Sequence, residues 1–317
     1  MPELGIMRVA DGKWTESWYF GDELGIVLRL GAMHMLRSQA RGVQTMFRLF
    51  VVSLSILLAS CQTVVVHEVR SSFSHIQIRD HGSQRVLLFI GENGESTLET
   101  VVDLRQPHRL QHRYSHTMMA GLLYRPDTSA CLLIGLGGGA IVRFLNHEFP
   151  EMGLDVVEID PVVVALAREF FGTVPGPRTR IFTEDGFEYL RRTPDRYDMI
   201  LLDAHLMPSE QTDASGLPLR LKTMAFLRSL HERLRPGGIV VFNLLEGPGT
   251  RADIESMRAA FAVVDVFRSA SAGNVIVVGV PSGSRPGDGE LRERARALDR
   301  RGERGFSFER LLDERSG

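Results

Sequence analysis

A doubly wound α/β domain built on a parallel sheet is the architecture that this 317-residue sequence predicts. Three observations carry that prediction. Short apolar runs alternate with helical patterns from residue 131 to residue 280; a glycine turn, Gly135-Leu136-Gly137-Gly138-Gly139, joins the first run to the first helix; and Glu158, Asp185 and Asp203 stand at or just beyond the ends of later runs. Repeated strand-helix units of this kind close into a parallel sheet with right-handed crossovers.

Each element has its own warrant. Cys131 to Ile134 reads as a strand and 140–149 as a helix, followed by a strand from Leu154 to Glu158. Pro161 to Phe171 reads as a helix, because proline is favoured at the first helical position, where its missing N–H costs nothing. Arg178 to Phe182 makes a third strand, and a short helix starts at Gly186. Tyr197 to Leu202 is apolar on both faces, as a buried parallel strand should be. Leu219, Thr223, Phe226, Leu230 and Leu234 mark one face of a helix. Pro236-Gly237-Gly238 turns the chain into a fifth strand, Ile239 to Leu244, and Val263–Phe267 with Asn274–Val280 form a closing antiparallel pair. Upstream, residues 62–110 read as a small β unit with turns at Asp80-His81-Gly82 and Glu92-Asn93-Gly94, and 111–124 as a helix opening the main domain of 111–281. Residues 282–317 read as a Pro/Gly linker and charged tail with a helix near 289–301.

Composition removes several classes. Net charge is -2, lysine occurs only at positions 13 and 222, and the arginines are scattered among acids, so nucleic acid is not an expected partner. The two cysteines, Cys61 and Cys131, give no disulfide framework, and no Cys/His cluster suggests a metal. The apolar run Leu49–Ala59, led by Met46-Phe47-Arg48, is too short to span a bilayer but has the length of a signal-peptide core. It ends in Leu58-Ala59-Ser60-Cys61, which resembles a bacterial lipoprotein cleavage box. Residues 1–61 are therefore expected to be a leader, with the signal at 46–61, a lipid on Cys61 and a membrane-anchored product. A start at Met46 or Met35 would give that leader ordinary length. The competing reading is a buried helix in a cytoplasmic protein.

In a doubly wound sheet the ligand lies beyond the carboxyl ends of the strands, near the point where strand order reverses. Gly135, Gly137 and Gly139 allow close backbone approach and positive φ, and the following helix start favours negative charge. The same G-x-G-x-x-A form also fits a dinucleotide site. Glu158 can accept both hydroxyls of a ribose. Asp185, followed by Gly186, can accept from an adenine amino group, although a simple N-cap explains it equally well. Asp203 leaves a wholly apolar strand, an environment costly for a carboxylate without a role and one that tunes acids for catalysis. Acids after three successive strands, with no second mononucleotide half, favour an adenosyl sulfonium ligand over a dinucleotide.

These stretches together resemble the spermidine synthase (polyamine aminopropyltransferase) family, a branch of the class I S-adenosylmethionine-dependent methyltransferase, or Rossmann-like, fold. The resemblance covers about residues 72–280 and rests on Leu132–Gly139, Val157-Glu158-Ile159-Asp160, Glu184–Leu190, Tyr197–Asp203 and Leu234-Arg235-Pro236-Gly237-Gly238. It implies S-adenosylmethionine or its decarboxylated form as co-substrate, with Gly135 and Gly137 at the nucleoside, Glu158 on the ribose and Asp185 near adenine. It also implies a small-molecule amine as acceptor, and a homodimer through the β unit.

The departures concern the amine. The family reads Gly-Gly-Gly-Asp-Gly-Gly in the turn, where this chain has Gly138 in the acid's place. A second aspartate after the fourth strand aligns with Leu206, and a tyrosine-glutamine pair is replaced by Phe73-Ser74. A cationic amine needs carboxylates to hold it and a base to deprotonate it. Glu210, Asp213, His205 and His116 are the substitutes on offer, though a loop acid is more often a cap and a lone helical histidine more often structural. The leading expectation is aminopropyl transfer with Asp203 orienting or deprotonating the amine. The alternatives are a methyltransferase and a lipid-anchored nucleoside-binding protein without catalysis; Leu217–Thr223 resembles a divergent, spermidine synthase-like branch.

Overall fold

The computed structural model describes residues 63–316 apart from 207, 214, 215, 269–272 and 284, together with a pair of two-residue antiparallel strands, Val9–Ala10 and Lys13–Trp14. The signal expected at 46–61, with Cys61, lies outside the described residues. The chain divides into two units, Met1–Val64 and Val65–Gly317.

A four-stranded antiparallel sheet comes first, in the order β1 (Thr63–Arg70), β2 (His75–His81), β3 (Gln84–Ile90), β4 (Ser96–Asp103). Ile76, Ile78, Leu87, Phe89 and Val102 alternate onto one face and pack against Val163, Leu166 and Phe171. This is the period-two pattern of a half-buried sheet. The helix expected over 111–124 is two short ones, α1 (Arg113–Met118) and α2 (Gly121–Tyr124), broken at Met119-Ala120. The break lets Gly121 lie against the main sheet, where an added Cβ would come within 2.8 Å of Val241 Cγ2 and Met199 Sδ.

The main sheet has eight strands. Its parallel part runs β7 (Thr179–Thr183), β6 (Gly153–Glu158), β5 (Ala130–Ile134), β8 (Tyr197–Leu202), β9 (Leu234–Leu245), and β11 (Asn274–Val280) and β10 (Val263–Arg268) extend it antiparallel. Strand order reverses between β5 and β8, which pair in parallel from Met199↔Cys131 to Leu202↔Ile134. Helices α3 (Ala140–Glu148), α4 (Pro161–Phe171), α5 (Gly186–Arg192), α6 (Met224–Glu232) and α7 (Thr250–Ala260) make the crossovers. Helix α4 starts as its sequence dictates: Asp160 caps the Val162 amide, Pro161 follows, and Gly172 closes the helix at φ 66°. Every residue of β8 is buried, and the Cys131 thiol is buried and unpaired.

Two segments depart from the sequence reading. Leu234, placed on a helix face by periodicity, instead opens β9 opposite Tyr197. The proline and glycines at 236–238 are not a turn ahead of the strand but an irregularity within it: pairing skips from Leu234 to Ile239 while Gly237 takes φ 72°. The described residues of the segment 282–317, read as a charged tail, fold back onto the domain. Its helix α8 (Asp288–Asp299) buries Leu291, Ala295 and Leu298, and α9 (Phe308–Leu311) buries Phe308 and Leu311. Arg315–Ser316 then forms β12 on β10, covering the edge of the sheet. A few apolar residues at i, i+4 and i+7 suffice for this, and the surrounding charge hid them. Among the described residues, no helix is long and apolar enough to cross a membrane.

Candidate active site

Strand ends and the glycine turn converge on one cavity, open at its mouth, at the carboxyl end of the parallel strands. Gly135 and Gly137 line it and Gly139 does not. Gly135 must be glycine: at φ 98° a Cβ would lie 2.0 Å from the Asp203 carbonyl oxygen, so the turn can meet the end of β8 only without a side chain. Gly139 serves α3 instead, as a left-handed N-cap residue. Gly186 lines the cavity and rests on Ile134.

Glu158 is 8% exposed, and its two carboxylate oxygens accept from the Leu136 amide and the Asp160 amide, each at 2.9 Å. It thereby ties the glycine turn to the end of β6. Burial raises its pKa, and those amides oppose the rise. An ionised carboxylate has about four acceptor positions, so two remain for a pair of hydroxyls.

Asp185 satisfies both of its sequence readings. One oxygen caps α5, accepting from the Phe187 amide at 2.7 Å and the Glu188 amide at 3.3 Å, and the other accepts from Arg220 Nη1 at 3.0 Å. The Arg220 guanidinium also stacks 4.4 Å above the Phe187 ring, so Asp185, Phe187 and Arg220 form one wall.

Asp203 accepts from Asn243 Nδ2 at 2.7 Å and from Tyr114 Oη at 3.2 Å. Asn243 is itself oriented by Asn274, whose Nδ2 donates to its Oδ1 at 2.9 Å. Burial raises the Asp203 pKa, against the influence of His205 and the two hydrogen bonds. Burial pushes the His205 and His112 imidazoles the other way, His112 to about 4, so both are neutral near pH 7. Each has its Nε2 buried without a protein partner, and both line the cavity.

The remaining substitutes weighed from the sequence lie elsewhere. His116 Nε2 pairs with the Leu110 carbonyl at 2.9 Å while its ring stacks on Phe306, a structural role. Asp213 pairs with Lys222, which also contacts Asp253 at 2.6 Å. Glu210 is exposed and, like Asp213, off the cavity wall. Sequence reasoning missed Glu99, Tyr114, Asn243 and Arg220. Burial and the nearby carboxylates of Asp203 and Glu158 push the Glu99 pKa up to about 8. No spacing rule marks a residue brought in from a separate sheet; the usable signal was an acid within an apolar strand, Leu98-Glu99-Thr100-Val101.

Among the described residues, no group of three or more His, Cys, Asp or Glu side chains is arranged to hold a metal ion. The strand order, with its closing antiparallel pair, defines a class I methyltransferase-type fold. The spermine/spermidine synthase domain matches residues 111–265 of this chain. A polyamine aminopropyltransferase of Vibrio vulnificus is 34% identical over 185 residues, 57% of this chain and 60% of the relative. This chain thus spans about three fifths of that relative's length. A crystal structure of human methyltransferase-like protein 13 in complex with SAH matches with a TM-score of 0.56 at 26% identity, over 62% of this chain and 96% of that one. A probable spermidine synthase from Corynebacterium glutamicum, at 21% identity and a TM-score of 0.61 over 75% of this chain and 87% of its own, shares the fold.

Proposed function

We propose that the cavity binds an adenosyl sulfonium, S-adenosylmethionine or its decarboxylated form, and that from the decarboxylated form it transfers the aminopropyl group to an amine. One observation carries this reading: Glu158, Asp185 and Asp203, at the tips of β6, β7 and β8, line a single cavity beside the glycine turn. Glu158 accepts the ribose hydroxyls, and the Asp185 wall faces the base. The amine nitrogen attacks the carbon next to sulfur, the C–S bond breaks with its electron pair passing to sulfur, and the amine proton goes to the Asp203 carboxylate. A carboxyl whose pKa is raised by burial is a better proton acceptor than one in water. Holding nucleophile and electrophile in line supplies much of the rate.

The human methyltransferase-like relative supports a second reading, in which the same pocket transfers a methyl group. Calorimetry with S-adenosylmethionine, its decarboxylated form and methylthioadenosine separates the two: preference for the decarboxylated sulfonium supports aminopropyl transfer, and preference for the carboxylated one supports methylation. Absence of heat with all three overturns the nucleoside site. Glu158→Ala should abolish most of the affinity for methylthioadenosine, since it removes both the hydroxyl acceptor and the brace on the turn. The lipid anchor at Cys61 remains a proposal beside this one, checked by the mass of the mature amino terminus.

A further inference from the structure

Helix α1 cannot hold itself in place. It is six residues long, its N-cap residue His112 makes no side-chain cap, and no acid stands in its first turn. A helix of that length is marginal in water, so its position is set by what packs on it. Its residues face two ways. Tyr114 and Ser115, with His112 just before them, line the cavity, where Tyr114 Oη donates to Asp203 at 3.2 Å. Arg113, His116 and Thr117 meet the carboxyl-terminal segment instead.

The contacts to that segment centre on one carboxylate. Glu314 Oε1 accepts from Arg113 Nη2 at 2.7 Å, and Oε2 accepts from the Thr117 hydroxyl at 2.9 Å. Arg113 and Thr117 stand four residues apart, so Glu314 clasps one full turn of the helix, and Tyr114 lies within that turn. The His116 ring stacks on Phe306 of the same segment, with centroids 4.7 Å apart. Glu314 is itself fixed from behind: it ends the short turn Leu312–Glu314, and the next two residues pair with β10 at Phe267↔Arg315 and Val266↔Ser316. A single exposed ion pair would hold little. This carboxylate is 16% exposed and grips at two points. It also lies beyond residues 111–265, the part of the chain that the spermine/spermidine synthase domain matches.

We infer that Glu314 is a positioning residue for the cavity: by fixing the turn of α1 between Arg113 and Thr117, it sets the Tyr114 phenol on the Asp203 carboxylate. That bond is one of two that orient Asp203, Asn243 giving the other at 2.7 Å. At 3.2 Å it is the longer, so a small movement of α1 breaks it first. Misplacing an orienting group by an ångström costs rate even when the change is made far from the chemistry. The kinetic part of the inference rests on the reading of the cavity as a transfer site in which Asp203 takes a proton; the placement of Tyr114 does not.

Both parts are tested on the full chain. The sequence holds five tyrosines, and incorporation of fluorotyrosine gives each a fluorine NMR resonance, that of Tyr114 being the one lost in Tyr114→Phe. In Glu314→Ala the Tyr114 resonance should leave its parent position, while those of Tyr189 and Tyr197, bonded to each other at 2.7 Å, stay in place. Glu314→Gln, which keeps one acceptor oxygen, should move it less. With decarboxylated S-adenosylmethionine and 1,4-diaminobutane, kcat of Glu314→Ala should fall about threefold to tenfold, with KM for the sulfonium and affinity for methylthioadenosine as in the parent. Because Glu314 acts through Tyr114, adding Glu314→Ala to Tyr114→Phe should cost no further kcat. A parent-like Tyr114 resonance in Glu314→Ala, or losses that multiply in the double variant, overturns the inference. If Tyr114 moves as expected while no protein, the parent included, makes product, the transfer reading fails and the placement of Tyr114 by Glu314 stands.

Discussion

The Thr100 hydroxyl accepts the Gly138 amide proton at 2.8 Å, so the small sheet is keyed into the glycine turn of the large one. The same approach leaves little room for a side chain at position 138. A Cβ on Gly138 would lie 2.8 Å from Thr100 Cγ2 and 3.0 Å from Phe171 Cδ1. Gly138→Asp, which restores the family's turn, should therefore destabilise the protein by about 1–3 kcal/mol through overpacking. Thr100→Ala removes the obstructing methyl, so the double variant should recover part of the loss. Urea unfolding of the four proteins of this cycle checks the prediction; strictly additive effects would show that the two positions do not clash.

Asp203→Asn should lower kcat by about 10²–10⁴ while leaving KM for the sulfonium nearly unchanged, because the amide keeps the shape but cannot take the amine proton. Tyr114→Phe removes one of two hydrogen bonds and should cost less than Asp203→Asn. Steady-state kinetics with saturating amine measures both. Turnover of Asp203→Asn equal to the parent's would take Asp203 out of the mechanism.

The main sheet was legible because its signals are local. A buried strand such as Tyr197–Leu202 announces itself by being apolar throughout, and each acid at a strand tip follows directly in sequence. What could not be read depends on pairing between distant segments. Glu99 enters the cavity through a one-residue slip opposite Leu87 and Leu88, and nothing in the sequence near Glu99 encodes that register. Asn243 resembles any polar residue in a strand until Asp203 is seen 2.7 Å away. Leu234 misled for a related reason: its helical spacing is real, but pairing with Tyr197 takes it into the sheet.

Glu99 also makes stability depend on pH. Its carboxyl rises from 4.5 to about 8 on folding, so the folded state holds the proton more tightly than the unfolded one. Its contribution is complete below the unfolded pKa and is lost as pH rises through the folded one. Asp203 and Glu158 are shifted in the same direction. Tyr114, facing them from α1, is raised well above 10 and stays protonated across this window. His112 acts with the opposite sign at lower pH, since its pKa falls from 6.5 to about 4, and the His205 pKa is lowered as well; Arg220, also on the cavity wall, is paired with Asp185. Comparing parent with Glu99→Gln removes these common contributions. Without ligand, the variant's gain in Tm over the parent should be larger at about pH 9 than at about pH 4. A constant difference between the two melting curves across that range would show that Glu99 does not ionise in the window.

Asp198 supplies the contrast of a buried acid with a purely structural task. It is 2% exposed at the start of β8, at the end of the sheet away from the cavity. One oxygen accepts from the Ser129 amide and hydroxyl at 2.9 Å and the Ala130 amide at 3.0 Å, while Arg125 and Arg235 approach at 3.2 and 3.1 Å. Burial works to raise its pKa, but the Ser129 and Ala130 donors and the Arg235 charge outweigh burial and hold it below 3.8. Its stabilisation is therefore present above 3.8 and lost as pH falls below that value. Asp198→Ala leaves three donors and two guanidinium groups without their acceptor and should cost about 3–5 kcal/mol at neutral pH. Because Asp198 touches no cavity residue through these bonds, the variant should keep the parent's affinity for methylthioadenosine at temperatures where it is folded. Chemical denaturation and calorimetry on the same preparation decide the matter: a large loss of nucleoside affinity with unchanged stability would move Asp198 from the scaffold to the site.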